Sequence, residues 1–263
     1  MNEILRRHSF SVAFLTLVLG GMFLLPESSG TIERFSGYTM GTSYDVQVVD
    51  IPNSMDLNSL SFEVGSLLTK LDREIFSTYV QESELSRLNR QGVNVPFTAS
   101  DHLLEILLLS KEIATSSNGA FDVSVGSLVN LWGFGPGEIV RNQEIPDDEE
   151  IDAALVNVGI ANLLIDEINS EITKTSNIYI DLSGIAKGYA VDQIALLLFE
   201  KGLENYFIEV GGEIKLSGSG IDGKDWIPAI ESPQEGSIQI YETLTSRGET
   251  FALAGSGDYR NYF

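Results

Sequence analysis

Cysteine is absent from all 263 residues, and histidine and basic residues are scarce. The lack of cysteine excludes disulfides, thiol nucleophiles, iron–sulfur clusters, cysteine-based zinc sites and a lipid anchor on an N-terminal cysteine. Only His8 and His102 are present, so a histidine-rich metal site is excluded as well. The chain has 16 Lys and Arg against 38 Asp and Glu, a formal net charge of −22. No nucleic-acid partner is expected, because nucleic-acid phosphates require clustered basic residues.

The remaining composition is that of a folded protein. Hydrophobic residues make up 43% of the chain and charged residues 21%, which excludes a disordered chain and a coiled coil. The length suffices for one large domain or two small ones with a sizeable core.

The first 29 residues have the layout of an export signal. Arg6 and Arg7 precede an almost wholly apolar stretch, residues 10–25, and small and polar residues follow from Pro26. The apolar stretch is shorter than the roughly 20 residues that span a bilayer. No clean A-x-A cleavage site is visible, so residues 1–29 are either a signal peptide or an uncleaved N-terminal anchor. We expect an exported, periplasmic protein, with possible inner-membrane association through this segment.

Strand and helix patterns alternate over the rest of the chain, which predicts a mixed α/β (α+β) fold with sheets packed against helices, in one domain over residues 30–263. Strands are predicted at residues 42–49 (half-buried), 178–182, 206–210, 213–216, 226–230 and 250–254. Helices are predicted at residues 60–75, 101–114, 147–158 and 186–201. Gly211 and Gly212 predict a tight hairpin between two of the strands.

Some familiar motifs fail on their context. Residues 218–223 match G-x-G-x-x-G, but Lys224 and Pro228 follow where a dinucleotide fingerprint would open a helix. A turn between strands is therefore predicted there. No P-loop and no G-x-S-x-G is present. His102 falls in the first turn of an apolar helix and is interpreted as a surface or capping residue.

Two clusters carry chemistry. Asp122 lies between apolar neighbours, and an embedded carboxylate should accept hydrogen bonds from a ligand or from backbone. Asp181 ends a predicted strand, and a turn at Ser183 and Gly184 leads into a helix that carries Lys187. A helix N-terminus with a nearby lysine suits a phosphate group. The alternative is that Asp181 only caps the helix and that Lys187 is a surface residue.

Taken in order, the motifs of the chain resemble those of the ApbE family of FAD:protein FMN transferases, over residues from about 35 to 263. The motifs that carry the resemblance are Met40-Gly41-Thr42, residues 83–89, residues 119–126, residues 131–135, residues 181–192, residues 210–214 and residues 256–259.

The resemblance implies a magnesium-dependent flavin transferase. Such an enzyme splits FAD, places FMN on a threonine hydroxyl of a target protein and releases AMP; subunits of membrane redox pumps are typical targets. By resemblance, the flavin and adenosine portions of FAD are lined by Met40, Tyr79, Ala120, Phe121 and Asp122. Asp181 and Lys187 are expected to hold the nucleotide near its pyrophosphate, and Gly184 to offer its backbone carbonyl to Mg²⁺.

The resemblance also raises an expectation about the C-terminus. Family members continue beyond the motif at residues 256–259 with a histidine and with Asp and Thr magnesium ligands, whereas this sequence ends at Phe263. The sequence is therefore expected to be truncated, without the catalytic histidine, and inactive or nearly so as it stands. The alternative is a non-catalytic exported FAD-binding protein.

Overall fold

The computed structural model describes residues 30–136, 145–232 and 239–256. The predicted signal or anchor at residues 1–29 and most of the motif at residues 256–259 lie outside the described residues. By its internal contacts the chain divides into two compact units, one formed by residues 1–68 and 190–263 and the other by Thr69–Tyr189. We call them the first and the second unit.

The described elements confirm the mixed α/β class. The strands are β1 (Ile32–Thr39), β2 (Thr42–Val49), β3 (Phe97–Thr98), β4 (Leu163–Asp166), β5 (Glu171–Lys174), β6 (Tyr206–Val210), β7 (Glu213–Ser217), β8 (Ala229–Glu231), β9 (Ile240–Thr243) and β10 (Phe251–Ala254). The α-helices are α1 (Leu57–Thr69), α2 (Glu84–Arg90), α3 (Asp101–Ser116), α4 (Gly126–Leu131), α5 (Asp148–Leu155) and α6 (Ala186–Glu200). None of the described helices is long and apolar enough to cross a membrane.

The first unit is built on a five-stranded antiparallel sheet in the order β1-β2-β6-β7-β10. The predicted hairpin between β6 and β7 is confirmed, with positive φ at both Gly211 and Gly212. Strand β2 is predicted to be half-buried, and this is wrong, because Asp45 and Gln47 on its second face are buried too. The second face carries a small core of its own, made of Val49, Phe207, Ile214, Leu216 and Trp226.

The predicted helix at residues 60–75 changes character along its length. Helix α1 ends at Thr69, and a π-helical segment, Lys70–Phe76, continues it. A π-helix has about one extra residue per turn. Leu71, Ile75 and Phe76 of this segment are all buried. Apolar spacing alone does not distinguish the two helix types.

The second unit holds a three-stranded antiparallel sheet, β3-β5-β4, and helices α2 to α5. Helix α3 buries the predicted apolar side chains Leu103, Leu104, Ile106 and Leu107. Positive φ values at Asn118 and Gly119 follow the helix, where the sequence predicts its end.

Two predicted strands are corrected. Residues 178–182 form no strand, only an isolated parallel bridge between Tyr179 and Val125, because a side chain rather than a neighbouring strand binds the backbone of Ile180. The strand predicted at residues 226–230 shrinks to β8, which begins just after Pro228, since proline lacks the N–H that a ladder needs. The turn predicted at residues 218–223 is confirmed and contains a short 3₁₀ helix, Ile221–Gly223.

Candidate functional site

Two segments of the second unit lie side by side, residues 120–126 and 178–184, which we call the paired segments. Asp181 N donates to Val123 O at 2.8 Å, and Gly126 N donates to Tyr179 O at 3.1 Å. Gly126 is required by this approach, because an added Cβ would lie 2.7 Å from the Tyr179 carbonyl oxygen. The pairing brings the two chemical clusters of the sequence into one place.

The turn at Gly184 lies against Phe121. A Cβ added at Gly184 would be 3.5 Å from the Phe121 ring, an ordinary van der Waals distance. The residue predicted to offer a carbonyl to Mg²⁺ is therefore a neighbour of a ring predicted to line FAD. Ala120, which precedes that ring, is exposed.

The Asp122 carboxylate has protein donors around it. Oδ1 accepts from Ser124 N at 2.8 Å and from Ser124 Oγ at 2.7 Å, and Oδ2 accepts from Ile160 N at 2.9 Å. The Ser124 hydroxyl in turn accepts from Gly159 N at 2.7 Å. Asp122 thus fixes residues 159–160 to the first paired segment, and its predicted contact with FAD stays a prediction.

Tyr79 is held at both ends although its side chain is 67% exposed. Ser77 Oγ accepts from the amides of Tyr79 and Val80 at 3.1 Å each, and Tyr79 Oη donates to Phe134 O at 2.7 Å. Desolvation, followed by the negative charge of Asp181, raises the pKa of the Tyr79 hydroxyl. The Tyr79 hydroxyl therefore lies close enough to the paired segments for the charge of Asp181 to act on it.

Asp181 shapes the turn that leads into α6. It is buried, and its Oδ1 accepts from Ser183 N at 2.9 Å. Ile185 N and Ala186 N both donate to Leu182 O, which starts the helix. Lys187 lies in the first turn of α6 and is partly exposed. A carboxylate, a tight turn, a helix N-terminus and a lysine thus follow one another within seven residues.

Met40 belongs to the first unit, at the turn of the β1–β2 hairpin. Met40 and Gly41 have φ values of 48° and 74°, the two positive values of a type I′ turn. The structure describes this position within its own unit, and the predicted role of Met40 against FAD stays a prediction.

The described residues supply an incomplete set of metal ligands. Within residues 30–136, 145–232 and 239–256, no group of three or more acidic or histidine side chains could hold a metal ion. The Gly184 carbonyl and the Asp181 carboxylate are oxygen donors of the kind that Mg²⁺ prefers, and they lie in one turn. They fit part of a magnesium shell and would need further oxygen ligands to complete it.

His102 is not the surface or capping residue that the sequence predicts. It is partly buried, and its Nδ1 lies 2.9 Å from the Tyr189 hydroxyl, while the cap of α3 is Ser100. Tyr189 donates its hydroxyl proton to Glu105, so its oxygen accepts from His102 Nδ1–H. Sequence reading missed this trio because Tyr189 lies more than 80 positions from both partners.

The comparison with protein families decides the identity of the chain. The family model described as "ApbE family" matches residues 40–263. The chain belongs to the ApbE family. The match begins at Met40, the first motif of the resemblance.

Individual members of the ApbE family agree with this assignment. The chain is 42% identical over 249 residues to the FAD:protein FMN transferase of Vibrio cholerae, covering 94% of this chain and 73% of that protein. It is 37% identical over 232 residues to the enzyme of the same name from Haemophilus influenzae, covering 87% of this chain and 66% of that protein.

Solved ApbE structures share the fold. The flavin transferase ApbE from Vibrio cholerae superposes with a TM-score of 0.78 at 38% identity, covering 89% of this chain and 74% of that one. The apo form of the Pseudomonas stutzeri flavinyl transferase ApbE gives a TM-score of 0.76 at 33% identity, with coverages of 89% and 72%. The chain thus spans about two thirds to three quarters of the proteins that it matches.

Proposed function

We propose that this protein transfers FMN from FAD to a threonine of a target protein and releases AMP. The threonine oxygen forms a bond to the FMN phosphorus, the bond from that phosphorus to the bridging oxygen breaks, and AMP leaves with the bridging oxygen. The hydroxyl proton passes to solvent. Membership of the ApbE family and the names of the relatives support a flavin transferase. The acceptor residue and the second product are our proposal.

One observation carries the proposal to particular residues, namely that the paired segments bring Phe121 beside the Gly184 turn. An aromatic ring suits the planar groups of FAD, and the N-terminus of a 15-residue helix suits its phosphates. We therefore propose that Tyr79, Ala120, Phe121 and Asp122 line the flavin and adenine rings of FAD, while the part of Met40 stays a prediction. The assignment gives the rings of FAD and its pyrophosphate different types of contact.

The pyrophosphate that joins the two halves of FAD is assigned to Asp181 and Lys187. Lys187 in the first turn of α6 adds a full positive charge to the partial charge of the helix N-terminus. Asp181 orders the turn through Ser183 N, so that the backbone at residues 183–186 is in place before the nucleotide arrives. Such preorganisation reduces the ordering cost of binding.

Mg²⁺ is proposed as the cofactor, held by the Gly184 carbonyl with Asp181 within the same turn. Bound there, the ion would neutralise charge on the pyrophosphate oxygens. The oxygens of the nucleotide and further oxygen ligands would complete the shell. The role of this chain's own residues is to present two oxygen donors beside the phosphates.

We also propose that the protein acts outside the cytoplasm, in the periplasm, on a subunit of a membrane redox pump. The layout of residues 1–29 supports export, with membrane association through that segment if it stays uncleaved. The high negative charge is consistent with a protein target rather than nucleic acid.

The test of the activity is a transfer assay. The protein is incubated with FAD, Mg²⁺ and an acceptor domain that carries a single threonine, and the acceptor is weighed by mass spectrometry. With the C-terminal segment of the Vibrio cholerae relative appended to the chain, the proposal expects an FMN adduct on that threonine and one AMP for each adduct, while the 263 residues alone are expected to give little or none. FAD binding by the extended chain without adduct or AMP would favour a non-catalytic FAD-binding protein and reject the transferase.

The binding assignment has its own test. Lys187→Ala should weaken FAD binding by about 10- to 150-fold, since a hydrogen bond to a charged group contributes about 1.5–3 kcal/mol. FAD should also bind more tightly than FMN, because only FAD contains the pyrophosphate and adenosine. Lys224→Ala, which changes a lysine that is 61% exposed in the first unit, is the matched control. Equal loss in both variants would reject Lys187 as a phosphate contact.

A further inference from the structure

Lys174 at the end of β5 is a lysine removed from water. It is 1% exposed, and its Nζ donates to the Asn89 carbonyl at 2.7 Å. Burial lowers the pKa of its amine. Placing this side chain in the interior is unfavourable unless the contact that it makes is needed.

The carbonyl that Lys174 binds lies at the end of a helix. Asn89 is in the last turn of α2, where carbonyl groups lack partners within the helix. A cation there also suits the negative end of the helix dipole. Lys174 thus fixes the position of the last turn of α2, from which the Asn89 side chain extends.

The Asn89 side chain binds the backbone of a residue 91 positions away. Its Nδ2 donates to Ile180 O at 2.8 Å, and its Oδ1 accepts from Ile180 N at 2.8 Å. Asn89 is 9% exposed and Ile180 is fully buried, so both hydrogen bonds are shielded from water. One carboxamide therefore satisfies both backbone groups of Ile180, as a neighbouring strand would.

The next residue after Ile180 is Asp181. Its amide donates to Val123 O at 2.8 Å and its carboxylate accepts from Ser183 N at 2.9 Å. The chain of contacts runs from Lys174 through Asn89 and Ile180 to the turn at residues 181–184. We propose that Lys174 is a positioning residue for nucleotide binding, acting through Asn89 on that turn. This inference rests on the proposed function, which assigns the turn to FAD.

A purely structural lysine would give a different result from a positioning one. Lys174→Met keeps a similar volume and removes the donor, and FAD affinity is measured by titration at a temperature where every variant is fully folded. We expect at least about tenfold weaker FAD binding, since loss of the outer hydrogen-bond partners of metal ligands costs about 10- to 100-fold in affinity and Lys174 supports the turn in the same indirect way. Ile172→Ala is the matched control, because Ile172 is a fully buried residue of the same strand whose aliphatic side chain cannot hydrogen-bond to Asn89. It should lower stability and leave FAD affinity within twofold.

A double-mutant cycle separates this inference from the proposed function. Asp181→Asn as a single change should weaken FAD binding. Lys174→Met should weaken FAD binding little further in the Asp181→Asn background, since both changes affect the same turn. If Asp181→Asn weakens FAD and Lys174→Met does not, the positioning role is wrong and the site stands. If the parent protein does not bind FAD, or if Asp181→Asn does not weaken FAD binding, the site itself is wrong, and the inference is rejected with it.

A measurement on the unmodified protein covers the case in which Lys174→Met does not fold. Saturating FAD should slow hydrogen exchange of the Ile180 amide and of the Asn94 amide, which donates to Lys174 O at 2.8 Å. The slowing should exceed that of other fully buried amides, because binding of FAD to the folded state by itself slows all exchange that proceeds through global unfolding. Unchanged exchange at both amides in protein that binds FAD would overturn the proposal.

Discussion

Asp122 shows what one carboxylate does for the paired segments. Asp122→Ala removes the acceptor for Ser124 N, Ser124 Oγ and Ile160 N, and buried donors left without an acceptor are costly. We expect a loss of about 2–3 kcal/mol in the free energy of unfolding, measured by urea denaturation. Unchanged stability combined with lost FAD binding would show that the carboxylate serves the ligand instead.

His102 is a second single residue with a global effect, because it makes the free energy of unfolding depend on pH. Burial, followed by the positive charge of Lys70, lowers the pKa of His102, against the opposing charges of Glu105, Asp101 and Glu84. The folded state therefore favours the neutral ring, and its contribution is complete above the unfolded pKa of about 6.5. It is lost as the pH falls from there through the lower folded pKa.

The variant His102→Gln isolates that contribution. The free energy of unfolding of the parent minus that of the variant should be constant above about pH 7.5 and should decrease on acidification. Denaturation curves from pH 5 to 8 measure it. An increase in this difference on acidification would mean that the three carboxylates, rather than burial, control the pKa of His102.

At the scale of elements, Ser83 caps α2 and also holds the loop before it. Its Oγ accepts from Ser86 N at 3.1 Å, and its hydroxyl donates to Ser77 O. Ser83→Ala should cost about 1–2 kcal/mol of unfolding free energy, since cap removal alone costs about 1. Ser86→Ala is the matched control, because Ser86 Oγ also donates to Ser77 O, at 3.0 Å, without capping the helix. Equal losses in the two variants would contradict a capping contribution.

The elements also show which parts of the fold were predictable. The β6–β7 hairpin follows from its glycine pair, and α3 follows from its run of apolar residues. The strand predicted at residues 178–182 is wrong because its partner is the carboxamide of Asn89, far away in the sequence. The His102–Tyr189 contact is of the same kind. Periodicity reports burial of a segment, whereas the identity of a distant polar partner leaves no local signal.

At the scale of the whole molecule, the net charge of −22 sets the response to salt. Repulsion among like charges opposes the compact state, and salt screens it. We expect Tm to rise as NaCl increases from 10 to 200 mM. The rise should be about 2–4 °C for each kcal/mol that screening adds to the free energy of unfolding. Calorimetry at constant pH measures this. A fall in Tm would show that ion pairs such as Arg34–Asp45 outweigh the general repulsion.

The two units raise a related point about the candidate site. Seven of the eight predicted site residues fall in the second unit, and only Met40 falls in the first. The order of motifs along the chain assigns these residues to one site by family resemblance. It does not indicate that the chain folds into two compact units. The contacts within Thr69–Tyr189, above all those of the paired segments, provide that grouping.

The hairpin turn at Met40 combines an unfavourable backbone conformation with a proposed contact to FAD. A side chain at φ 48° costs backbone energy that glycine or asparagine would avoid. Laboratory selection for heat resistance alone should therefore replace Met40, and the survivors should be more robust and poorer at retaining FAD. A methionine that persists under such selection would instead mean that the thioether contributes more to folding than its backbone costs.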